Sequence, residues 1–349
     1  MALPAPRAAA QGLPEYRWRL ASSFPPSLDT IYGGAEVFAA SLDAITQGRF
    51  KVEVYPPGEL MPAMGVLDGV ANGEIEIAHT GSYYFTDRDP AFGFGTAMPF
   101  GLNSRLQNAW LHAGGGNELM NEFYRSYGFV GLPCGNTGTQ MGGWFTRPVA
   151  SLADVRGLKM RVPGLAQPLI RRMGGEPVQT PGGEIFEGLQ SGRIDAAEWV
   201  GPYDDEKLGF YRVARYYYYP GWWEPSTTLH LFVNEAAWAG LPDAYQEAVR
   251  VAASHANAFM QAKYDVQNPA ALKRLVTNGV ELRAFPEDVL RAAYSASQAL
   301  YAEFSEASPA FRRIFEHWQA FRGDGYLWWL VNEIAMDAFM VRARAAGAP

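Results

Sequence analysis

Arg161 is the residue whose setting most invites chemistry. It lies in Gly157-Leu-Lys-Met-Arg-Val-Pro-Gly164, where Leu158, Met160 and Val162 alternate with Lys159 and Arg161 at the period of a strand, and Pro163-Gly164 stops that strand just beyond the arginine. A guanidinium at a strand end can clamp a carboxylate through two parallel hydrogen bonds, a geometry that lysine cannot copy. The alternative for such an arginine is a surface position or an ion pair. The other reactive side chains form no catalytic set: there is no GxGxxG, GxxxxGK[ST], GxSxG or HExxH. His79, His112, His230, His255 and His317 are scattered without ligand spacing. Cys134, between Pro133 and Gly135, is the single cysteine; it would need a matched base to act as a nucleophile, and alone it rules out an internal disulfide or a CxxC pair.

The elements that must position Arg161 begin with Tyr16, Trp18 and Leu20, which alternate with Arg17 and Arg19 as in a half-buried strand. Ile31, Ala35, Phe38, Leu42 and Ile45 then share one face of a helix that Gly48 can end, and Lys51 to Tyr55 reads as a second strand. This strand, helix, strand order builds parallel sheets. An internal echo suggests that the plan occurs twice. Asp68-Gly-Val-Ala-Asn-Gly-Glu-Ile-Glu-Ile-Ala-His79 and Glu187-Gly-Leu-Gln-Ser-Gly-Arg-Ile-Asp-Ala-Ala-Glu198 align Gly69 with Gly188, Ile75 with Ile194, Glu76 with Asp195 and Ala78 with Ala197. The bland account is that any helix, glycine, strand joint looks so; the sharper one is two lobes of similar α/β topology. Their strands would end at a shared cleft, with Thr80 to Phe85 facing Trp199 to Asp204 across it.

Farther on, after an aromatic stretch at Tyr216 to Tyr219, Leu229 to Val233 reads as a long strand, able to cross between lobes as a hinge. Leu241 to Asn268 reads as a long helix with Pro242 in its first turn, Pro286 to Phe311 holds another, and Tyr326 to Ala345 is helical with a wide apolar surface. That surface requires cover, either by its own body or by a second subunit. A chain of 349 residues with 48% hydrophobic content exceeds one core and predicts two domains. The net charge of -7, without a run of Lys or Arg, excludes nucleic acid as a partner. The best candidate for a membrane span, around Gly325 to Val341, is interrupted by Asn332, Glu333 and Asp337. Met1 to Pro14 shows no charged n-region followed by an apolar stretch. Either the protein is cytoplasmic, or a leader was replaced by an initiator Met, with Ala8-Ala9-Ala10 fitting the area after a cleavage point; the second is favoured.

From Tyr16 to about Trp329 the chain resembles the DctP-type substrate-binding subunits of tripartite ATP-independent periplasmic (TRAP) transporters. The matching pieces are Trp18-Arg-Leu-Ala-Ser, Gly73-Glu-Ile-Glu-Ile-Ala-His79, Gly157 to Gly164, and Gly192-Arg-Ile-Asp-Ala-Ala-Glu-Trp-Val-Gly-Pro-Tyr-Asp-Asp205. The last of these, with Trp222-Trp223-Glu224-Pro225, is similar to the branch that binds α-keto acids or lactate together with a metal cation. The resemblance implies an α/β, two-lobed type II periplasmic binding protein fold with a hinge and a long C-terminal helix. Lobe 1 would take 15–138 plus about 226–265, lobe 2 139–225 plus about 266–325, and 326–349 would be a helix for dimerisation, exchanged between subunits as in members of that branch. It implies capture without chemistry in the periplasm, and docking of the closed form on membrane permease subunits.

Carried onto this sequence, the resemblance makes Arg161 the carboxylate clamp and Gln140, Glu198, Trp199 (through its backbone carbonyl) and Glu224 the cation ligands. All-oxygen ligation suits sodium or calcium, not zinc. The charge logic agrees: Glu198 and Glu224 would repel an anion unless a cation lay between them, the alternative being that they pair with Lys or Arg across the cleft. Tyr83 and Tyr84 are candidates to donate a hydroxyl to the ligand, or else core residues. Asn136 is a candidate for its keto or hydroxyl oxygen, and Phe100, Trp222 and Trp223 are candidate apolar walls. Pyruvate, longer 2-oxo acids and lactate all fit such a site. An α/β enzyme acting on a keto or hydroxy acid would share the arginine and metal but need a base, and no His accompanies these motifs. A sensor module would need a fused signalling segment.

Overall fold

The two strand, helix, strand units seed two separate sheets. In the computed structural model, which describes residue 12 and residues 14–347, the strands in chain order are β1 (Tyr16–Ser22), β2 (Phe50–Tyr55), β3 (Ile77–Thr80), β4 (Phe129–Thr139), β5 (Gly143–Phe145), β6 (Lys159–Arg161), β7 (Glu176–Val178), β8 (Ala196–Ala197), β9 (Tyr216–Tyr219), β10 (Ser226–Asn234) and β11 (Glu281–Ala284). The first sheet has the order β2-β1-β3-β10-β4 and the second β11-β9-β5-β8-β6-β7. The Met1 to Pro14 segment weighed above for a leader lies, apart from residues 12 and 14, outside the described residues. β1 pairs in parallel with β2 and β3, and β6 with β7 and β8, as crossover helices require. Trp18, Leu20, Phe38, Leu42 and Val249 pack in one core and Phe145, Met160, Leu169 and Ile170 in another. Ile45, read as the end of the buried helix face, is exposed.

The internal echo corresponds to a repeated joint. Gly73 and Gly192 end their helices at φ 74° and 72°, a left-handed conformation that favours glycine. The carbonyls of Gly69 and Gly188 accept the N–H of Ile75 (3.3 Å) and Ile194 (3.1 Å), and both isoleucines are buried. Glu76 accepts the Arg19 N–H of β1 at 2.8 Å, and Asp195 the Lys159 N–H of β6 at 3.0 Å. The aligned acids thus do the same work in each sheet, tying the joint to the neighbouring parallel strand.

The two sheets share a chain that crosses between them. It leaves the first sheet at Thr139 and enters the second at Gly143, then returns between Tyr219 and Ser226. The crossings touch each other, because Gly221 N–H donates to Gln140 O at 3.3 Å and Ser226 pairs with Thr139. After the return, β10 runs antiparallel between β3 and β4 and is buried on both faces.

Three helix boundaries differ from those read in the sequence. The long helix does not stop before Pro269 but runs Asp243–Thr277 through it, with Pro242 just ahead of its first turn. An interior proline forfeits one helical hydrogen bond at a cost of about 3 kcal/mol. Contacts on both sides hold the helix: Tyr264 donates to Asp204 before the proline, and Asn268 accepts Tyr203 N–H and Arg274 pairs with Glu206 around and after it. The segment Pro286 to Phe311 is divided at Ser308, whose hydroxyl accepts Phe311 N–H at 3.2 Å and caps a new helix with Pro309 in its first turn. The terminal helix therefore begins at Pro309, not near Tyr326, and continues past one wider turn at Leu330–Ile334 to Ala345. Its own body does not cover its end: Leu327, Val331 and Val341 are 66%, 73% and 70% exposed, and nothing from Leu330 to Ala345 is buried. No helix among the described residues is long and apolar enough to cross a membrane.

Candidate ligand and cation site

Neighbouring strand ends bring Arg161 and Glu198 together. β6 and β8 are adjacent and parallel, with Arg161 opposite Ala197, so the residue that follows β8 meets the guanidinium. Arg161 is 1% exposed. Its Nη1 donates to the Glu198 carbonyl at 2.7 Å and to Glu198 Oε2 at 2.6 Å, and Nε donates to Thr180 O at 3.0 Å. The Trp199 ring lies under the guanidinium, 5.1 Å from Cζ. Both hydrogens of Nη1 and the one on Nε are therefore taken. The paired edge expected for a bidentate clamp is occupied by the protein itself, and Nη2, buried with no partner among the described residues, is what remains for an anion.

Glu198 thus pairs with an arginine from its own sheet rather than from across the cleft. That single cation faces two buried carboxyls. Burial, and next the charge of Glu224, push Glu198 well above the usual carboxylate range. Burial likewise pushes Glu224 up to about 7, against the opposing effects of the Thr227 hydroxyl and Arg161.

Gln140 and Glu224 sit in the two crossings between the sheets, which carries them to the same place. Gln140 Nε2 donates to the hydroxyls of Thr137 (3.0 Å) and Thr227 (2.8 Å), and Thr227 donates to Glu224 Oε2 at 2.7 Å. The other branch of the Gln140 amide then stands 3.1 Å from Trp199 O and 3.2 Å from Glu198 Oε1. Turned over, the amide would donate to both of these oxygens and accept from the two threonines. In the first orientation Gln140 Oε1 faces the Trp199 carbonyl and the Glu198 carboxyl, three oxygens that a cation could join. Oxygens bound to one hard cation at roughly 2.3–2.6 Å stand about this far apart, so the donor set fits sodium or calcium. No group of three or more His, Cys, Asp or Glu able to hold a metal occurs among the described residues, this site included, where two carboxyls would be joined by an amide and a backbone carbonyl.

Tyr83 and Tyr84 follow β3 and close the site from the first sheet. Both are buried, with ring centroids 4.4 Å apart, and both phenols feel the charges of Arg161, Glu198 and Glu224. Burial raises each phenol, which therefore keeps its proton to donate. The lobes are shut on each other here: Gln179 Nε2 donates to Tyr84 O at 3.2 Å, and a Cβ on Gly164 would lie 3.0 Å from Tyr83 Cβ. Gly164, at φ 56°, suits this approach both in conformation and in having no side chain.

Two candidates stand apart. Asn136 Oδ1 accepts Gly138 N–H at 2.8 Å and its Nδ2 reaches Asn108 (3.4 Å) and Thr228 (3.5 Å), so the amide is taken up inside the first lobe. Trp222 stacks on Phe100 with centroids 5.2 Å apart and packs on Trp223. Trp222 and Phe100 wall an apolar cavity of about 430 Å³ that reaches Gln140 but not Arg161, Glu198, Glu224 or the tyrosines; its far side is Tyr294 and Tyr326. The sequence reading missed Thr137, Thr180 and Thr227 and the ring of Trp199. No spacing marks them, since Thr137 and Thr227 meet only when the crossings fold together.

Residues 21–307 match the family model described as "Bacterial extracellular solute-binding protein, family 7". The chain is 45% identical, over 94% of its length and 90% of the relative's, to the "Monocarboxylate 2-oxoacid-binding periplasmic protein" of Nostoc sp. (strain PCC 7120). It superposes with a TM-score of 0.94, at 43% identity and covering 96% of this chain and 99% of the other, on a TRAP transporter solute binding protein from Bordetella bronchiseptica RB50, a mixed occupancy dimer with copurified calcium and picolinate in one site and the other apo. A second structure, from Pseudoalteromonas atlantica with bound sodium and pyruvate, gives a TM-score of 0.89 at 35% identity, covering 92% and 98%. The chain belongs to bacterial extracellular solute-binding protein family 7 and is a periplasmic solute receptor of the TRAP transport systems, not an enzyme.

Proposed function

We propose that this receptor captures a small 2-oxo acid anion such as pyruvate, or lactate, through a cation held by Gln140, Glu198, Glu224 and the carbonyl of Trp199. Arg161 Nη2 takes the ligand carboxylate, and Tyr83 and Tyr84 donate to its oxygens. The observation that carries the reading is the convergence of the Gln140 amide, the Trp199 carbonyl and the Glu198 carboxyl beside an unpartnered cationic nitrogen, all buried. The cation would neutralise the carboxyls and give the anion a second positive contact; either sodium or calcium meets that need. The Nostoc relative is named for binding monocarboxylate 2-oxoacids, the Pseudoalteromonas protein holds pyruvate with sodium and the Bordetella protein holds calcium, and these support the same choice. Asn136 and Trp222 stay outside this contact set for the reasons of bonding and place given above.

The closed form, with lobes at 15–138 plus about 226–265 and 139–225 plus about 266–325, would present the loaded receptor to the permease subunits of the membrane. The bare apolar end of the last helix would be covered by a second copy, in line with the dimer formed by the Bordetella protein. Calorimetry with pyruvate on chelator-treated protein tests the site. We expect measurable binding only when calcium or sodium is restored, and a loss of at least about 3 kcal/mol in Arg161→Ala, because the remaining buried charges are left unpaired. Affinity in that variant equal to wild type would remove Arg161 from the site, and binding indifferent to chelation would remove the cation.

A further inference from the structure

The placing of hydrogens around Gln140 assigns a role to two residues that touch neither ligand nor cation, an inference that rests on the cation reading above. A threonine hydroxyl has one hydrogen to give. Thr227 gives its hydrogen to Glu224 Oε2 at 2.7 Å, and Thr137 gives its own to Gly138 O at 3.2 Å. Thr137 also accepts the Thr227 N–H at 3.0 Å, which locks the two together across the crossings. With the hydrogens placed there, each hydroxyl has only lone pairs left for the Gln140 amide, which then turns its Nε2 to them at 3.0 Å and 2.8 Å. An amide has two ends. Fixing the nitrogen at one side fixes Oε1 at the other, aimed at Trp199 O and Glu198 Oε1. The reverse orientation, which would put an N–H where a cation needs an oxygen, requires both threonines to withdraw their hydrogens from Glu224 and Gly138.

We infer that Thr137 and Thr227 are positioning residues of the cation site: by having no hydrogen to spare they hold the Gln140 amide with its oxygen toward the cation, and Thr227 holds Glu224 in the same act. A receptor without them would have a self-satisfied amide that hydrogen-bonds Glu198 and excludes the ion.

The probe is calcium alone, then sodium alone, titrated calorimetrically into chelator-treated full-length protein. Thr227→Val and Thr137→Val should each weaken calcium binding by about tenfold or more, the size usual for a group that orients a metal ligand. Thr227→Ser and Thr137→Ser, which keep the hydroxyl, should restore it to within about twofold. Packing defects are separated by a second background: in Gln140→Glu both branches end in oxygen, there is no amide to turn, and adding Thr137→Val should shift calcium affinity by less than about twofold. Thr137→Val binding calcium like wild type, serine failing to rescue, or an equal loss in the Gln140→Glu background would each overturn the positioning role while leaving the cation site intact. Wild-type protein that binds neither ion would overturn the site and this inference together.

Discussion

Asp204 is a buried carboxyl with a single strong partner. Tyr264 donates to its Oδ2, and Oδ1 has none among the described residues. Burial pushes it up to about 6 from an ordinary 3.8, more than Tyr264 and Lys207 pull it down. Between those two values the folded protein keeps the proton that the unfolded chain has lost, so this group's contribution to stability falls as pH rises through that window and is constant above it. Asp204→Asn cannot titrate. The stability of wild type relative to the variant should therefore drop by up to about 3 kcal/mol between pH 4 and pH 7 in urea unfolding; parallel profiles would show that Asp204 titrates normally. Residues of this kind were only half legible. Arg161 could be found because Pro163-Gly164 marks the strand end that holds it, whereas Glu198 only closes the echo and its role came from the family resemblance. Thr137 and Thr227 could not, because their work consists of which way hydrogens point between segments that are far apart in sequence.

At the scale of elements, what is local was legible and what is tertiary was not. A helix, glycine, strand joint writes itself into a dozen residues, and its repeat identified the two sheets. Pro269 reads locally as a stop, and only contacts from Asp204, Tyr203 and Glu206 override it. The start of the last helix was written in Ser308-Pro309 and passed over because apolar periodicity runs through it on both sides. That helix carries its own prediction. Leu327, Val331 and Val341 are exposed in one chain, so polar replacements there leave the monomer's core untouched. If a second copy covers them, light scattering should give twice 38.4 kDa for wild type and the monomer mass for Val331→Asp/Val341→Asp, with an unchanged melting temperature at high dilution. A wild-type monomer at tens of micromolar would leave the face to some other partner.

The whole molecule must open to load, and the closed state has a contact outside the site that opening breaks. Asp29 lies between β1 and the first helix of the first lobe; its carboxylate pairs with Lys207, from the helix that follows β8 of the second sheet, and accepts the Tyr203 hydroxyl at 3.2 Å. Lys263 of the long crossing helix joins the same carboxylate at 3.0 Å. The pair is not buried, with side-chain exposures of 50% for Asp29 and 27% for Lys207, so it is worth about 0.2–1 kcal/mol and is screened by salt. Small as that is, it acts on the closed population, and the apparent affinity scales with the fraction of molecules able to hold the ligand. Asp29→Asn should accordingly release pyruvate about 1.4- to 5-fold faster than wild type at low ionic strength while leaving the cation set intact. Raising ionic strength with choline chloride, at fixed calcium so that sodium does not compete at the site, should bring wild type to the variant's rate and leave the variant nearly unmoved. Stopped-flow dissociation measures both. If the two proteins release ligand alike at low salt, or differ by the same factor at every salt concentration, the lobes close without help from Asp29 and the ion pair is a bystander on the surface.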